Sequence, residues 1–537
     1  MTAIHPLLFE INARCWLREL SGLAGRPITL ATVPDSEFTR WRELGFTHIW
    51  LMGVWTTGPL SRAHALSNAH LREIFDRVLP GWTDADVPGS PYAIADYHVP
   101  AALGGDDALA RFRERLHAAG LKLILDFVPN HLGLDHPWAA QRPDLFVNCA
   151  PDSPGALCIE TASGPRWLAH GKDPHFHPWT DTLQLDYRNP ETRAAMTGLL
   201  QSVAARCNGV RCDMAMLLLN DIFARTWARC PSAAAPPSSE FWSGAITAVR
   251  AAHPDFLFLA EVYWGLEPRL QSLGFDFTYD KHVYDCLVNR NHRELQRHLL
   301  EAAPGYNDHS ARFLENHDER RIASLFSPAE HRAAALVVLG LPGMRFLHEG
   351  QLTGARIHIP VQLARRPVEP PDPEITALYH QLLATLKDSA VGHGPAAILR
   401  PDPAWPGNPS AQNFIIIHWP RSATSFDLAV INLATHPSQC RVKFPFALSS
   451  PASPSKPESE SEPVTIIPQD PPAVPSPSGL GKPSGQSAGK RSSNIWHFRD
   501  LLSPQTFQHP ATDLHRDGLF LDLPAHRAQL FRCELLP

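Results

Sequence analysis

The chain has 537 residues, too many for one compact core, so more than one domain is expected. Hydrophobic residues make up 44% and charged residues 19%, and the net charge is −6, an ordinary soluble composition without the basic surface that nucleic acid or an anionic membrane would select. Nine cysteines, an odd number without paired C-x-x-C spacing, argue against a disulfide framework or a zinc site. The start, MTAIHPLLFEINARCWL, lacks the pattern of a secretory signal, and no uncharged apolar run is long enough to span a bilayer. The cytoplasm is therefore the expected compartment.

Apolar strand-like runs then alternate with amphipathic stretches. In chain order the strand candidates are LLFEINA, THIWLMGVW, LKLILDFV, GVRCDM, FLFLAEVYW, FDFTYD, RFLENHD and MRFLHEG. Between them, DDALARFRERLHAAG reads as a helix capped by Asp106 or Asp107, with Leu109, Phe112 and Leu116 on one face and Gly120 after it. Ser327-Pro328 opens a further helix through Leu339, followed by Gly340. Eight β/α repeats predict a closed (β/α)8 TIM-type barrel over residues 1–390. Two connections, about 56–105 and 132–190, exceed what a barrel needs and are expected to build a substrate cleft.

Beyond residue 390, NFIIIHW, DLAVINL, RVKFPF, NIWHF, GLFLDL and AQLFRCEL predict an antiparallel β-sandwich domain over 391–537. It is interrupted at 451–493 by a stretch without aromatics, in which 24 of 43 residues are Pro, Ser or Gly. That stretch cannot bury enough apolar surface to offset its ordering entropy, so disorder is expected. Its GLGKPSG lacks the spacing and flanking elements of a phosphate loop.

Three acids stand at the ends of different strand candidates: Asp213, Glu261 and Asp318. Strand C-termini converge at one mouth of a barrel, so distant residues can surround one substrate. Retaining cleavage of a glycosidic bond needs a carboxylate nucleophile and a second carboxyl that serves as acid and then base. Arg211 shares a strand face with Asp213 and can hold it ionised and aimed. Glu261 follows the apolar run Phe256–Ala260, whose burial would raise its pKa as a general acid requires.

At these residues the chain resembles the α-amylase family, glycoside hydrolase family 13. Four blocks occur in the family's order: Asp126-Phe127-Val128-Pro129-Asn130-His131, Gly209-Val210-Arg211-Cys212-Asp213, Ala260-Glu261-Val262 and Asn316-His317-Asp318. The resemblance implies Asp213 as nucleophile, Glu261 as acid/base and Asp318 as transition-state stabiliser, with Arg211, His131 and His317 as partners of the same sugar. Tyr92, in Ser90–Tyr97, is expected to stack on the sugar's apolar face. Trp138, Trp167, Trp179 and Trp264 are candidates for further sugar subsites, and Met214–Leu219 reads as a core contact. No cofactor is required. The resemblance makes calcium the one candidate metal, held by Asn130 with Asp135, Asp144 or Asp152, oxygen ligands of the kind calcium prefers. The turn Leu347-His348-Glu349-Gly350-Gln351 departs from the family's usual tyrosine- and glycine-rich form.

The implied activity is cleavage of α-1,4-glucosidic bonds in a glucan or maltooligosaccharide by double displacement, with neither nucleic acid nor a membrane as partner. The same trio serves a transglycosylase or a trehalose-forming isomerase, and a catalytically silent glucan-binding barrel is the alternative from another class.

Overall fold

A computed structural model describes residues 5–151, 153, 155–161, 164–230, 232, 234–444 and 494–536. The stretch 451–493 expected to be disordered lies outside the described residues, as does Asp152. Eight parallel strands close into a barrel: β1 (Leu7–Asn12), β2 (His48–Met52), β3 (Lys122–Phe127), β4 (Gly209–Cys212), β5 (Leu257–Ala260), β6 (Phe277–Tyr279), β7 (Ser310–Arg312) and β8 (Met344–His348). Each pairs with its neighbours in sequence, and β1 closes the ring against β8 from Leu7↔Arg345 to Glu10↔His348. Every strand candidate therefore contributes one stave. The seventh is shorter than its apolar run, which leaves Asn316, His317 and Asp318 in the loop above it.

Strand alternation sorts the side chains. Leu7, Phe9, Ile49, Leu51, Leu123 and Leu125 face the surrounding helices, whereas Leu8, Trp50, Ile124, Leu259, Tyr279 and Phe346 fill the barrel. Following the inner positions upward, apolar residues give way to charge: Leu8 to Glu10, Ile124 to Asp126, Leu259 to Glu261. On β4 the inner series is Gly209, Arg211, Asp213. A Cβ on Gly209 would meet Leu257 O at 2.6 Å and Ile124 Cδ1 at 2.7 Å, so glycine is required at that depth.

The helix before β3 spans Gly105–Ala118 and buries Leu109, Phe112 and Leu116 as its periodicity predicts. Its cap differs from expectation: Gly104 precedes it in a left-handed conformation, and Asp106 instead accepts from Val99 N at 2.9 Å and contacts His98. An adjacent loop competed for that carboxylate. Ser327 caps Glu330 N at 3.3 Å as expected, but Gly340 is the last residue of its helix rather than the residue after it.

The long connection after β3 contains two antiparallel pairs, His131–Gly133 with Thr182–Gln184 and Ala156–Ile159 with Arg166–Ala169. After the barrel, a six-stranded antiparallel sheet faces a three-stranded one. Strand Phe414–Ser422 serves two cores at once. Phe414 and Ile416 pack between the sheets, while Ile415, Ile417 and Trp419 face the barrel helix Pro328–Gly340. There Trp419 Nε1 donates to Gly340 O at 2.8 Å, and a Cβ on Gly340 would meet Ile417 Cδ1 at 3.3 Å. Strand Thr506–Pro510 was not foreseen, because its TFQHP ends in proline and sits at the sheet edge, where proline is tolerated.

Candidate active site

The upper rim of the barrel is charged because its inner strand positions end in acids, and those acids converge on Arg211. This fully buried guanidinium donates from Nη1 to Asp213 Oδ1 at 2.7 Å and pairs through Nη2 with Glu261 Oε2, also at 2.7 Å. Trp50, Tyr92 and Tyr279 surround it, with ring centroids 5.3–5.8 Å from its central carbon. One cation thus fixes two carboxylates from adjacent strands, where the sequence suggested a pairing with Asp213 alone.

Glu261 is held at both oxygens. Oε2 also accepts from Met214 N at 2.7 Å, and Oε1 accepts from Tyr263 Oη at 2.7 Å. Met214 adopts a left-handed conformation, φ 42°, which a non-glycine residue rarely takes and which aims its amide at Glu261. Ala215–Leu219 beyond it are buried, as expected of a core contact. Burial pushes the Glu261 carboxyl up to about 7, opposed by Arg211. Burial likewise raises Asp213, while Arg211 pulls it back. Retention of charge on Asp213 by Arg211 is the expectation from sequence; desolvation outweighs that attraction.

Asp318 completes the trio from the loop after β7. Its side chain is 46% exposed, and Asn316 Oδ1 accepts from its amide at 2.9 Å. Partial enclosure works against its charge, but His317 Nε2, 3.1 Å from Oδ2, more than offsets that and takes the carboxyl down to about 2. His317 is itself sandwiched between acids. Burial opposes its charge, yet Asp318 on one side and Glu10, in contact with Nδ1, on the other raise it well above the usual imidazole range. Tyr92 lies against the same imidazole, its hydroxyl 2.7 Å from Nε2 and the two rings stacked at 5.3 Å. Three of the four blocks, with the segment Ser90–Tyr97, thus bring Tyr92, Arg211, Asp213, Glu261, His317 and Asp318 to one mouth.

Asp126 contributes from below. Its carboxylate accepts from Trp50 Nε1 at 3.2 Å and Gly53 N at 3.1 Å, and burial raises it to about 7. Gly53 has φ 79°, and the turn it makes presents its amide to Asp126. His131 is buried and pushed down to about 4 by desolvation, so it is a neutral imidazole near neutral pH. Its ring packs on Trp179 at 5.0 Å. Trp264 is 42% exposed, lies against His175 and lines a cavity of about 570 Å3 with Lys172 and Arg229. Trp138 packs on His136, and Trp167 sits in the hairpin strand Arg166–Ala169.

The donor set does not fit calcium. Both oxygens of Asn130 face an amide: Gln184 Nε2 donates to its backbone O at 2.8 Å and to Oδ1 at 3.0 Å. Asp135 accepts from Leu60 N at 2.9 Å, and Asp144 pairs with Arg142. Among the described residues no three His, Cys, Asp or Glu side chains gather into a metal-binding group. Of the oxygens expected with Asn130, those of Asp135 and Asp144 are engaged elsewhere, Asp152 lies outside the described residues, and the partner at Asn130 is the buried Gln184 amide.

Glu10, Asp126, Tyr263 and the Met214 amide were missed as site groups. Glu10 and Asp126 carry a signal in retrospect, each a lone acid inside an apolar strand run. Tyr263 has only its i+2 relation to Glu261.

A closed parallel barrel with three acids, an arginine and two histidines at its C-terminal mouth defines a barrel enzyme of glycosidase design. The comparisons agree. Residues 40–361 match the model of the alpha amylase catalytic domain, and the chain belongs to that family. It is 24% identical over 273 residues to the alpha-amylase MalA of Haloarcula japonica, covering 49% of this chain and 36% of that protein. It is 28% identical over 273 residues to an alpha-1,4-glucan:maltose-1-phosphate maltosyltransferase of Burkholderia pseudomallei, covering 50% of this chain and 20% of that one. The chain thus spans about a third and a fifth of these two relatives. Among solved structures it is similar to the noncanonic maltogenic alpha-amylase AmyB of Thermotoga neapolitana, with TM-score 0.62, 17% identity and 99% of both chains covered. No helix among the described residues is long and apolar enough to cross a membrane.

Proposed function

We propose that this protein is a retaining enzyme that cleaves α-1,4-glucosidic bonds of a glucan or maltooligosaccharide, acting in the cytoplasm. The observation that carries this reading is the single Arg211 guanidinium shared by Asp213 and Glu261, with Asp318 beside His317 on the same rim. Two carboxyls fastened to one cation suit the close spacing, about 5–5.5 Å, of a retaining pair.

Asp213, aimed by Arg211, attacks the anomeric carbon while Glu261, protonated because burial has raised it, delivers its proton to the departing glycosidic oxygen. The glycosyl–Asp213 ester then breaks as Glu261, now a base, takes a proton from the incoming hydroxyl. Asp318 carries its charge at neutral pH and balances the positive character at the ring oxygen and anomeric carbon. His317, held between Glu10 and Asp318, keeps Asp318 charged, Tyr92 offers its ring to the sugar, and neutral His131 sits beside Tyr92.

Water as the second acceptor gives hydrolysis; a sugar hydroxyl gives transfer, the chemistry named for the Burkholderia pseudomallei relative. Incubation with maltoheptaose and chromatography of the products tests the reading. Shorter maltooligosaccharides from the wild type and none from Asp213→Asn support it, and products longer than the substrate assign transfer. Identical binding of intact maltoheptaose by both proteins, without products, would replace it with a non-catalytic barrel.

A further inference from the structure

Cys149 and Cys230 are 81 positions apart in sequence, yet their Sγ atoms lie 3.0 Å from each other. Both are half-buried, and both are held by their backbones. Cys149 N donates to Trp167 O at 2.8 Å inside the excursion after β3. Cys230 N donates to Trp227 O at 3.0 Å, and its carbonyl accepts from Arg188 Nη1 at 2.8 Å. The other seven cysteines are single. Cys15 and Cys207 turn their sulfurs to backbone carbonyls and Cys286 to His282, and among the described residues no second pair of sulfurs meets. An odd count and the absence of a spacing motif argue against a framework of bridges; they leave room for a single one.

We propose that Cys149 and Cys230 are an oxidation site, closed by a low-molecular-weight disulfide such as oxidised glutathione into one intramolecular disulfide. One cysteine, as thiolate, attacks a sulfur of oxidised glutathione and expels the first glutathione thiolate, leaving a mixed disulfide. The second cysteine attacks the protein sulfur of that mixed disulfide and expels the second glutathione. Two protein thiols are oxidised, two glutathione thiols are made, and the two protons pass to the departing thiolates. A side-chain rotation that brings the sulfurs from 3.0 Å to about 2.05 Å completes the bond. Burial pushes the Cys149 thiol up to about 12, so closure is slow near neutral pH and quickens as pH rises.

The bond would join two segments that already face each other across the 570 Å3 cavity. Lys172 of the excursion lays its ammonium 4.7 Å from the Trp227 ring, and Ala228 and Arg229, immediately before Cys230, line the cavity wall with Lys172 and Trp264. Oxidation therefore staples the excursion to that wall, beside the strand end that carries Glu261.

The full-length protein is incubated with oxidised glutathione, denatured, alkylated and mapped by mass spectrometry, with thermal unfolding measured in parallel. The expected result is a chain lighter by two hydrogens, a dithiothreitol-sensitive peptide pair joining Cys149 to Cys230, and an unfolding midpoint above that of the reduced form. Cys149→Ser should keep reduced wild-type activity and trap glutathione on Cys230 instead. Nine free thiols after oxidation overturn the proposal, as does glutathione confined to the exposed Cys158 or a bridge from Cys158 to either residue.

Discussion

Arg211 and Glu261, fifty positions apart, meet through a 2.7 Å contact at the centre of the barrel mouth, on the same guanidinium that holds Asp213. Replacing Arg211 with lysine keeps the charge but removes the planar fork that reaches both acids. Steady-state kinetics of Arg211→Lys should show kcat lower by about 100-fold, the scale of a catalytic group displaced by an ångström, with KM changed far less. Equal kcat in both proteins would mean that the guanidinium does not position the acids.

Glu261→Gln should lose on the order of 10²–10⁴ in kcat on a substrate whose leaving group needs a proton. On an aryl glucoside with an acidic leaving group the bond-breaking step should be affected much less, since that leaving group departs unprotonated. The ratio of the two losses, read from pre-steady-state bursts, checks the assignment; equal losses would sink it.

The pH profile follows from two carboxyls. Glu261 must be protonated to act as acid, and its value near 7 means that kcat/KM falls as pH rises through about 7. Asp213 must be ionised, and since burial raises it, the acid limb should lie above the ordinary aspartate range. Tyr263→Phe removes a donor to the ionised form of Glu261, so the alkaline limb should move to higher pH while the acid limb stays.

With Gln184 hydrogen-bonded to both oxygens of Asn130, chelation should leave the unfolding midpoint and the activity unchanged. Gln184→Ala should instead lower stability by about 1–3 kcal/mol, because buried acceptors lose their donor. Urea unfolding with and without chelator measures both; a chelator-sensitive midpoint would contradict the structure's account of this position.

Much of the fold was legible because each stave is an apolar run of the length a barrel strand requires, and alternate residues from Leu8 to Glu10 or Ile124 to Asp126 carry the pattern inward. The convergence of Asp213, Glu261 and Asp318 on one mouth was legible because strand ends meet there in a barrel. The partners of those acids were not. Glu10 reaches His317 across 307 positions, and Gln184 reaches Asn130 across 54, contacts created by ring closure and by the excursion folding back. Asp106 shows the converse: a good cap by sequence, it was taken by Val99 and His98, neighbours that only the folded loop supplies.

The strand Phe414–Ser422 carries a consequence for any attempt to shorten the protein. Since Ile415, Ile417 and Trp419 cover the helix that leads into β8, a chain ended near residue 390 would leave that helix with a bare greasy flank and Gly340 O without its indole donor. Such a fragment would be prone to clump with its own copies, so the tail works as a fixed roof over one side of the barrel rather than as a detachable accessory.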